Sequence, residues 1–232
     1  MKLRYGLIAA GTMALAPAVS MAQLTGNIGF MSDYVFRGVY QAPSSAMGGI
    51  DYAHDSGFYI GTWWADVSDG LEADIYFGFG GEAGDFSYSL GYTEYTYTDN
   101  FDSGYGEVNL GVGWSGLSLD VAVGSWDGSL DDFGNEISGT DEDYTFYSLG
   151  YEYEGFYVKF GSWDWDTAPD TYDYFEIGYG LTWEGIDFSM ALINSSDQAF
   201  DVSGSPSVDP DGNTLTDNQF VFSISRSFTF GE

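Results

Sequence analysis

Apolar residues recur at every second position over long stretches of this chain. Leu117, Leu119, Val121 and Val123 alternate with Ser118, Asp120, Ala122 and Gly124, and Val108, Leu110, Val112 and Trp114 alternate with Glu107, Asn109, Gly111 and Gly113. The same period runs through Ile186, Phe188, Met190 and Leu192 against Asp187, Ser189 and Ala191. Successive side chains of a strand point to opposite faces, so each segment has one greasy face and one that is small or charged. A helix cannot carry this pattern on a single face. Twelve strands are predicted, at about 24–40, 46–53, 58–65, 71–80, 86–98, 105–114, 117–126, 143–153, 156–165, 172–183, 186–194 and 219–230.

The predicted connections alternate in length. After every even strand they are tight: His54-Asp55-Ser56-Gly57, Gly81-Glu82-Ala83-Gly84-Asp85, Ser115-Gly116, Glu154-Gly155 and Glu184-Gly185. After strands seven and eleven they are long, about 127–142 and 195–218, and after strands one, three, five and nine they are intermediate. An even strand count with short turns on one side and longer loops on the other is the pattern of an outer-membrane up-and-down β-barrel. In three hairpins an aromatic residue precedes the turn and an apolar one follows its glycine: Trp114-Ser115-Gly116-Leu117, Tyr153-Glu154-Gly155-Phe156 and Trp183-Glu184-Gly185-Ile186. Trp114, Tyr153 and Trp183, with Phe228 and Phe230 of the last strand, would form an aromatic girdle at headgroup level. A soluble sandwich or jelly roll would bury the same greasy faces in a core instead. The opposite faces, rich in glycine, serine and acid, suit a wet lumen and favour the barrel.

Composition narrows the class further. Lys2 and Arg4 precede an apolar run from Leu7 to Ala16 that closes on Ser20-Met21-Ala22, so residues 1–22 read as a signal peptide and 23–232 as one barrel domain. No later run of about 18 or more apolar residues occurs, which excludes a membrane-spanning helix. Beyond the signal only Arg37, Lys159 and Arg226 stand against 36 acids, so nucleic acid is an improbable partner. Cysteine is absent and histidine occurs once, leaving zinc or copper almost no ligands; no cofactor is expected. Aromatics at 19% argue against an acidic disordered chain.

Two stretches resemble a known family: Ser32-Asp33-Tyr34-Val35-Phe36-Arg37-Gly38-Val39, and Gly49-Ile50-Asp51-Tyr52-Ala53-His54 with Ser56-Gly57-Phe58-Tyr59-Ile60-Gly61-Thr62-Trp63. With the following Leu71-Glu72-Ala73-Asp74-Ile75-Tyr76, they are similar to the opening segments of proteobacterial TorF-like porins. The resemblance covers roughly residues 30–80 and implies an outer-membrane channel without a defined substrate. The chain departs from many such proteins in ending on Gly231-Glu232 rather than on an aromatic residue, the feature by which outer-membrane insertion machinery would recognise it.

If the greasy face meets lipid, Asp74, Glu107, Asp120, Glu152, Lys159, Glu176 and Asp187 line the lumen, six acids against one base. Such a ring would attract cations and repel anions, implying passage of small hydrophilic solutes or ions with a cation preference. Pairing of these acids with Lys159 or Arg37 in a non-conducting structural barrel is the other reading. Arg37 is expected in the first strand, pointing inward to a carboxylate, because lipid would charge heavily for it. Arg226 shares the parity of Phe222, Ile224 and Phe228 and is expected near the periplasmic interface or beside a bulge. His54 and Ser56 fall in a tight turn, poorly disposed for nucleophilic catalysis, so no catalytic residue is assigned. The acid-rich loop with Asp127, Asp131, Asp132, Glu136, Asp141, Glu142 and Asp143 lacks EF-hand spacing, and its default reading is a solvated loop, with Ca²⁺ binding the weaker possibility.

Overall fold

The structure is a computed structural model and describes residues 23–131, 133–167, 171–196 and 218–230. It contains twelve strands: β1 (Gln23–Phe36), β2 (Val39–Ala53), β3 (Phe58–Asp66), β4 (Leu71–Ala83), β5 (Phe86–Tyr97), β6 (Tyr105–Trp114), β7 (Leu117–Trp126), β8 (Glu142–Tyr153), β9 (Phe156–Trp165), β10 (Tyr172–Trp183), β11 (Ile186–Ser195) and β12 (Asn218–Phe230). Each pairs antiparallel with its chain neighbour, and β12 closes on β1 from Leu24↔Phe230 to Met31↔Ser223. Closure leaves the wall itself no open edge, so its backbone groups find partners within it. Among the described residues no helix is long and apolar enough to cross a membrane, which says nothing about strands.

The register fixes which face looks where. Val108, Leu110, Val123, Leu149, Ile75, Met190 and Phe220 are exposed on the outer surface, in a belt closed below by Trp114, Tyr153, Phe156, Trp183, Phe228 and Phe230. These lower aromatics flank the two-residue turns Ser115-Gly116, Glu154-Gly155 and Glu184-Gly185. In each turn both residues have positive φ, for example 50° at Glu154 and 84° at Gly155. Paired positive φ values give a hairpin the twist of its own strands, and glycine at the second position adopts one without a steric cost. The chain reaches β1 and leaves β12 at this same end. Arg226 lies on the outer surface close to the Glu184-Gly185 turn, with its guanidinium 5.5 Å from the Phe228 ring centre.

Two connections differ from the sequence reading. The β4–β5 turn is only Gly84-Asp85, because β4 continues to Ala83. More consequentially, the first connection is not a loop near 41–45. It is a fourth Xaa-Gly turn, Arg37-Gly38, with φ of 49° and 85°, and Arg37 therefore sits in a turn rather than in the first strand. Pro43-Ser44-Ser45 reads as a loop signal yet belongs to β2. Proline is tolerated there because β2 pairs with β3 only from Met47 onward, so residues 39–46 present a free edge.

The segment 32–46 leaves the wall altogether. β1 loses β12 after Met31, and Phe222 N–H donates instead to Ser32 Oγ (2.9 Å). A register irregularity between Tyr34 and Val35 and a positive φ of 56° at Ser44 mark the bend. Beyond it the hairpin pairs only with itself, and its residues meet inward-facing residues of β3 to β6 and β8 to β11. The tip of β1–β2 therefore lies inside the bore.

Candidate functional site

The site is built where the hairpin tip meets the wall. Arg37 reaches across the bore to Glu107 of β6, with Nη1 donating to Oε2 at 2.8 Å and Nη2 to Oε1 at 2.7 Å. Tyr95 of β5 and Tyr144 of β8 donate their hydroxyls to the same carboxylate at 2.8 and 2.9 Å. All lone-pair directions of a buried anion are thus engaged, the condition under which burying a charge pair is tolerable. Around the guanidinium stand the rings of Phe146 at 4.4 Å, Phe36 at 4.8 Å and Trp163 at 5.3 Å.

The tip's backbone is held as well. Trp163 Nε1 donates to the Arg37 carbonyl (3.0 Å), and Ser195 Oγ to the Gly38 carbonyl (2.7 Å). Gly38 lies so close to Tyr174 that a Cβ would stand 2.6 Å from that residue's own Cβ. On the other flank Tyr34 donates to Glu72 Oε1 at 2.6 Å and packs edge-on against Trp63.

The register places the acids expected to line the lumen, together with Lys159, on the inward face, but in different surroundings. Glu107 is the latch. Asp74, flanked in register by Trp63 and Tyr95, is 1% exposed, and among the described residues neither of its oxygens has a hydrogen-bond partner. Lys159 lies opposite Glu176, which accepts the Tyr157 hydroxyl at 2.6 Å. Asp120 accepts from Ser148 Oγ at 3.3 Å, and Asp187 from Thr182 Oγ1 at 2.6 Å. Glu152 faces Tyr157 nearer the tight turns. Sequence reasoning passed over Glu72, which shares the inward parity of Asp74 two residues away. It also passed over the aromatic residues Tyr95, Tyr144, Phe146, Trp163 and Tyr174 on inward parity. Bulky rings on a face otherwise made of glycine and serine were the available sign of a packed region.

Two further expectations meet the structure here. His54 Nδ1 and Ser56 Oγ do approach to 2.9 Å, contrary to their expected poor disposition, but Nδ1 also accepts Ser56 N–H (3.1 Å) and Ser56 Oγ accepts Phe58 N–H (3.4 Å). The pair caps its own turn. In the acid-rich loop Asp131 accepts the N–H groups of Phe133 and Asn135, while Asp132 lies outside the described residues. Among the described residues no three acidic or histidine side chains are placed to hold a metal ion.

Comparison with known proteins sets this geometry in a lineage. A model of a bacterial protein family of unknown function, Gcw_chp, matches residues 15–228. The chain belongs to the Gcw_chp family. No curated protein matches it. Among solved structures this Gcw_chp barrel is similar to the KdgM porin, with a TM-score of 0.53 and 8% identity over 89% of this chain and 99% of that one. It is likewise similar to the NanC porin, with a TM-score of 0.55 and 9% identity over 88% of this chain and 98% of that one. At such identities the likeness shows the shared fold, a closed antiparallel barrel, and it does not extend to the narrower TorF-like label.

Proposed function

We propose that this Gcw_chp protein is an outer-membrane channel of the porin type, passing small hydrophilic solutes or ions with a preference for cations. Residues 1–22 would direct export, the tight turns would face the periplasm and the longer loops the exterior. The observation that carries the reading is the sign of the inward charge: Glu72, Asp74, Glu107, Asp120 and Glu176 surround the bore against Arg37 and Lys159. Carboxylates in a confined, low-dielectric passage raise the local cation concentration. The exposed apolar belt with its aromatic girdle supports the membrane setting. The porin likeness supports a channel rather than an enzyme, and His54 and Ser56 serve their turn.

A second reading has its own observation. The hairpin tip and its aromatic partners fill the loop end of the bore, as in a non-conducting barrel whose acidic loops bind cations or partners. The two part in planar bilayers. Purified protein is expected to give discrete single-channel steps, with a reversal potential in a salt gradient displaced toward the cation. Folded protein without conductance would leave the non-conducting barrel, and a displacement toward the anion would end the cation preference.

A further inference from the structure

The residues around Glu107 have the make-up of a cation receptor whose guest, in this structure, is part of the same chain. Glu107 offers both oxygens side-on to one guanidinium, a fork that a single ammonium cannot match. Tyr95 and Tyr144 donate to those oxygens and fix the plane of the carboxylate. Phe146 and Trp163 present rings at 4.4 and 5.3 Å, inside the reach of cation–π attraction, about 6 Å. All five residues belong to the wall, on β5, β6, β8 and β9, and only Phe36 comes from the hairpin. The cage is thus a property of the barrel, and Arg37 is what occupies it.

Charge points to the same ligand class. Asp74 stands opposite Tyr95 in register and is buried, and among the described residues its oxygens have no hydrogen-bond partner. An anion would be repelled by the Glu107 carboxylate, whereas a planar organic cation would meet matching charge, matching fork and two ring faces.

We propose that this cage is a binding site for small guanidinium-bearing cations, held in self-occupied form by Arg37 as a tethered guest. The proposal deepens the channel reading and rests on it for the route by which a cation arrives through the bore. Because a short tether presents Arg37 at an effective concentration of about millimolar or more, an external guest competes poorly until the tether is removed.

Arg37→Ala protein in detergent, with its β-sheet circular dichroism checked, is titrated with methylguanidinium, with methylammonium and sodium chloride as controls. Melting temperature and tryptophan fluorescence are followed. Methylguanidinium is expected to raise the melting temperature of Arg37→Ala saturably, with a half-saturating concentration at least about tenfold lower than in the parent protein. Methylammonium should do so far more weakly, and adding Glu107→Gln should abolish the effect. Equal response of Arg37→Ala and parent, or equal response to the two cations, would overturn the proposal. If Arg37→Ala does not fold, Arg37→Lys, which keeps the charge and loses the fork, is titrated with the same outcomes. None of these readouts needs conductance. A barrel that binds methylguanidinium but does not conduct would therefore defeat the channel alone, and one that conducts without binding would defeat the cage alone.

Discussion

The two ends of the bore use one inward parity for opposite ends. At the tight-turn end the inward positions are small: Gly111, Gly113 and Ser118 on β6 and β7, Gly178, Gly180 and Ser189 on β10 and β11. Rings that occur there lie flat against a glycine of the adjacent strand, as Tyr59 does over Gly78, with its Cζ 2.6 Å from where a Cβ would stand. At the loop end Tyr144, Phe146, Trp163 and Tyr174 pack around the hairpin tip within the largest buried cluster described, and Tyr95 stands edge-on to Phe36 of the tip. Alternation alone therefore does not decide whether a barrel interior is wet or solid. What decides it is whether a piece of backbone enters the bore and gives large side chains something to pack against.

The sharpest way to break this contrast is to remove the latch. Glu107→Ala strands Arg37 and takes the acceptor from Tyr95 and Tyr144, and losing one partner of a buried pair costs about 3–5 kcal/mol. Urea unfolding in detergent is expected to show a loss of that order, accompanied by larger single-channel steps as the tip leaves the bore. An unchanged midpoint and unchanged conductance would mean that the hairpin is not anchored by this carboxylate.

A matched pair of glycine substitutions tests the two ends directly. Gly38 has φ of 85° and faces the rigid base of Tyr174, so Gly38→Ala must strain the backbone by about 1–3 kcal/mol before any clash is counted. Gly178 faces the far end of the Tyr157 side chain, its Cζ and hydroxyl, rather than the base of a ring. Gly178→Ala is therefore expected to cost less, about 1 kcal/mol, mostly through the lost hydrogen bond from Tyr157 to Glu176. Equal losses at the two positions would mean that the tight-turn end is as tightly packed as the loop end.

This contrast also marks where sequence reading succeeded and where it stopped. Strand number, the face of each strand and the three Xaa-Gly turns after Trp114, Tyr153 and Trp183 follow from local chemistry: a period of two, and glycine where φ must be positive. Arg37-Gly38 obeys the same turn rule, but the apolar run Val35-Phe36-Arg37-Gly38-Val39-Tyr40 continues through it and Pro43-Ser44-Ser45 offers a louder signal nearby. Which acids meet which partners depends on contacts between residues 70 positions apart, as with Arg37 and Glu107, and on a departure from the sheet that no alternation encodes. The inward pairing of Arg37 with a carboxylate was legible from the cost of exposing it to lipid; the identity of the carboxylate was not.

The smallest expected effect lies outside the bore and isolates burial as the variable. Asp131, like Glu107, accepts four hydrogen bonds, here from Phe133 N–H, Asn135 N–H and the Asn135 side-chain amide, but it does so on an exposed loop. The donors of Asn135 and then of Phe133 hold its carboxyl below the ordinary carboxylate value. A group whose folded value is depressed stabilises its structure above the unfolded value and loses that contribution as pH falls through the folded one. Carbon-13 NMR should show Asp131 titrating below the usual Asp value of about 3.9. Limited proteolysis of the 127–141 loop should quicken only at that acidic limit, while the barrel itself stays folded. If Asp131 titrated at the ordinary value, the loop's hydrogen bonds would not persist in water, and the number of donors would count for nothing without the burial that Glu107 enjoys.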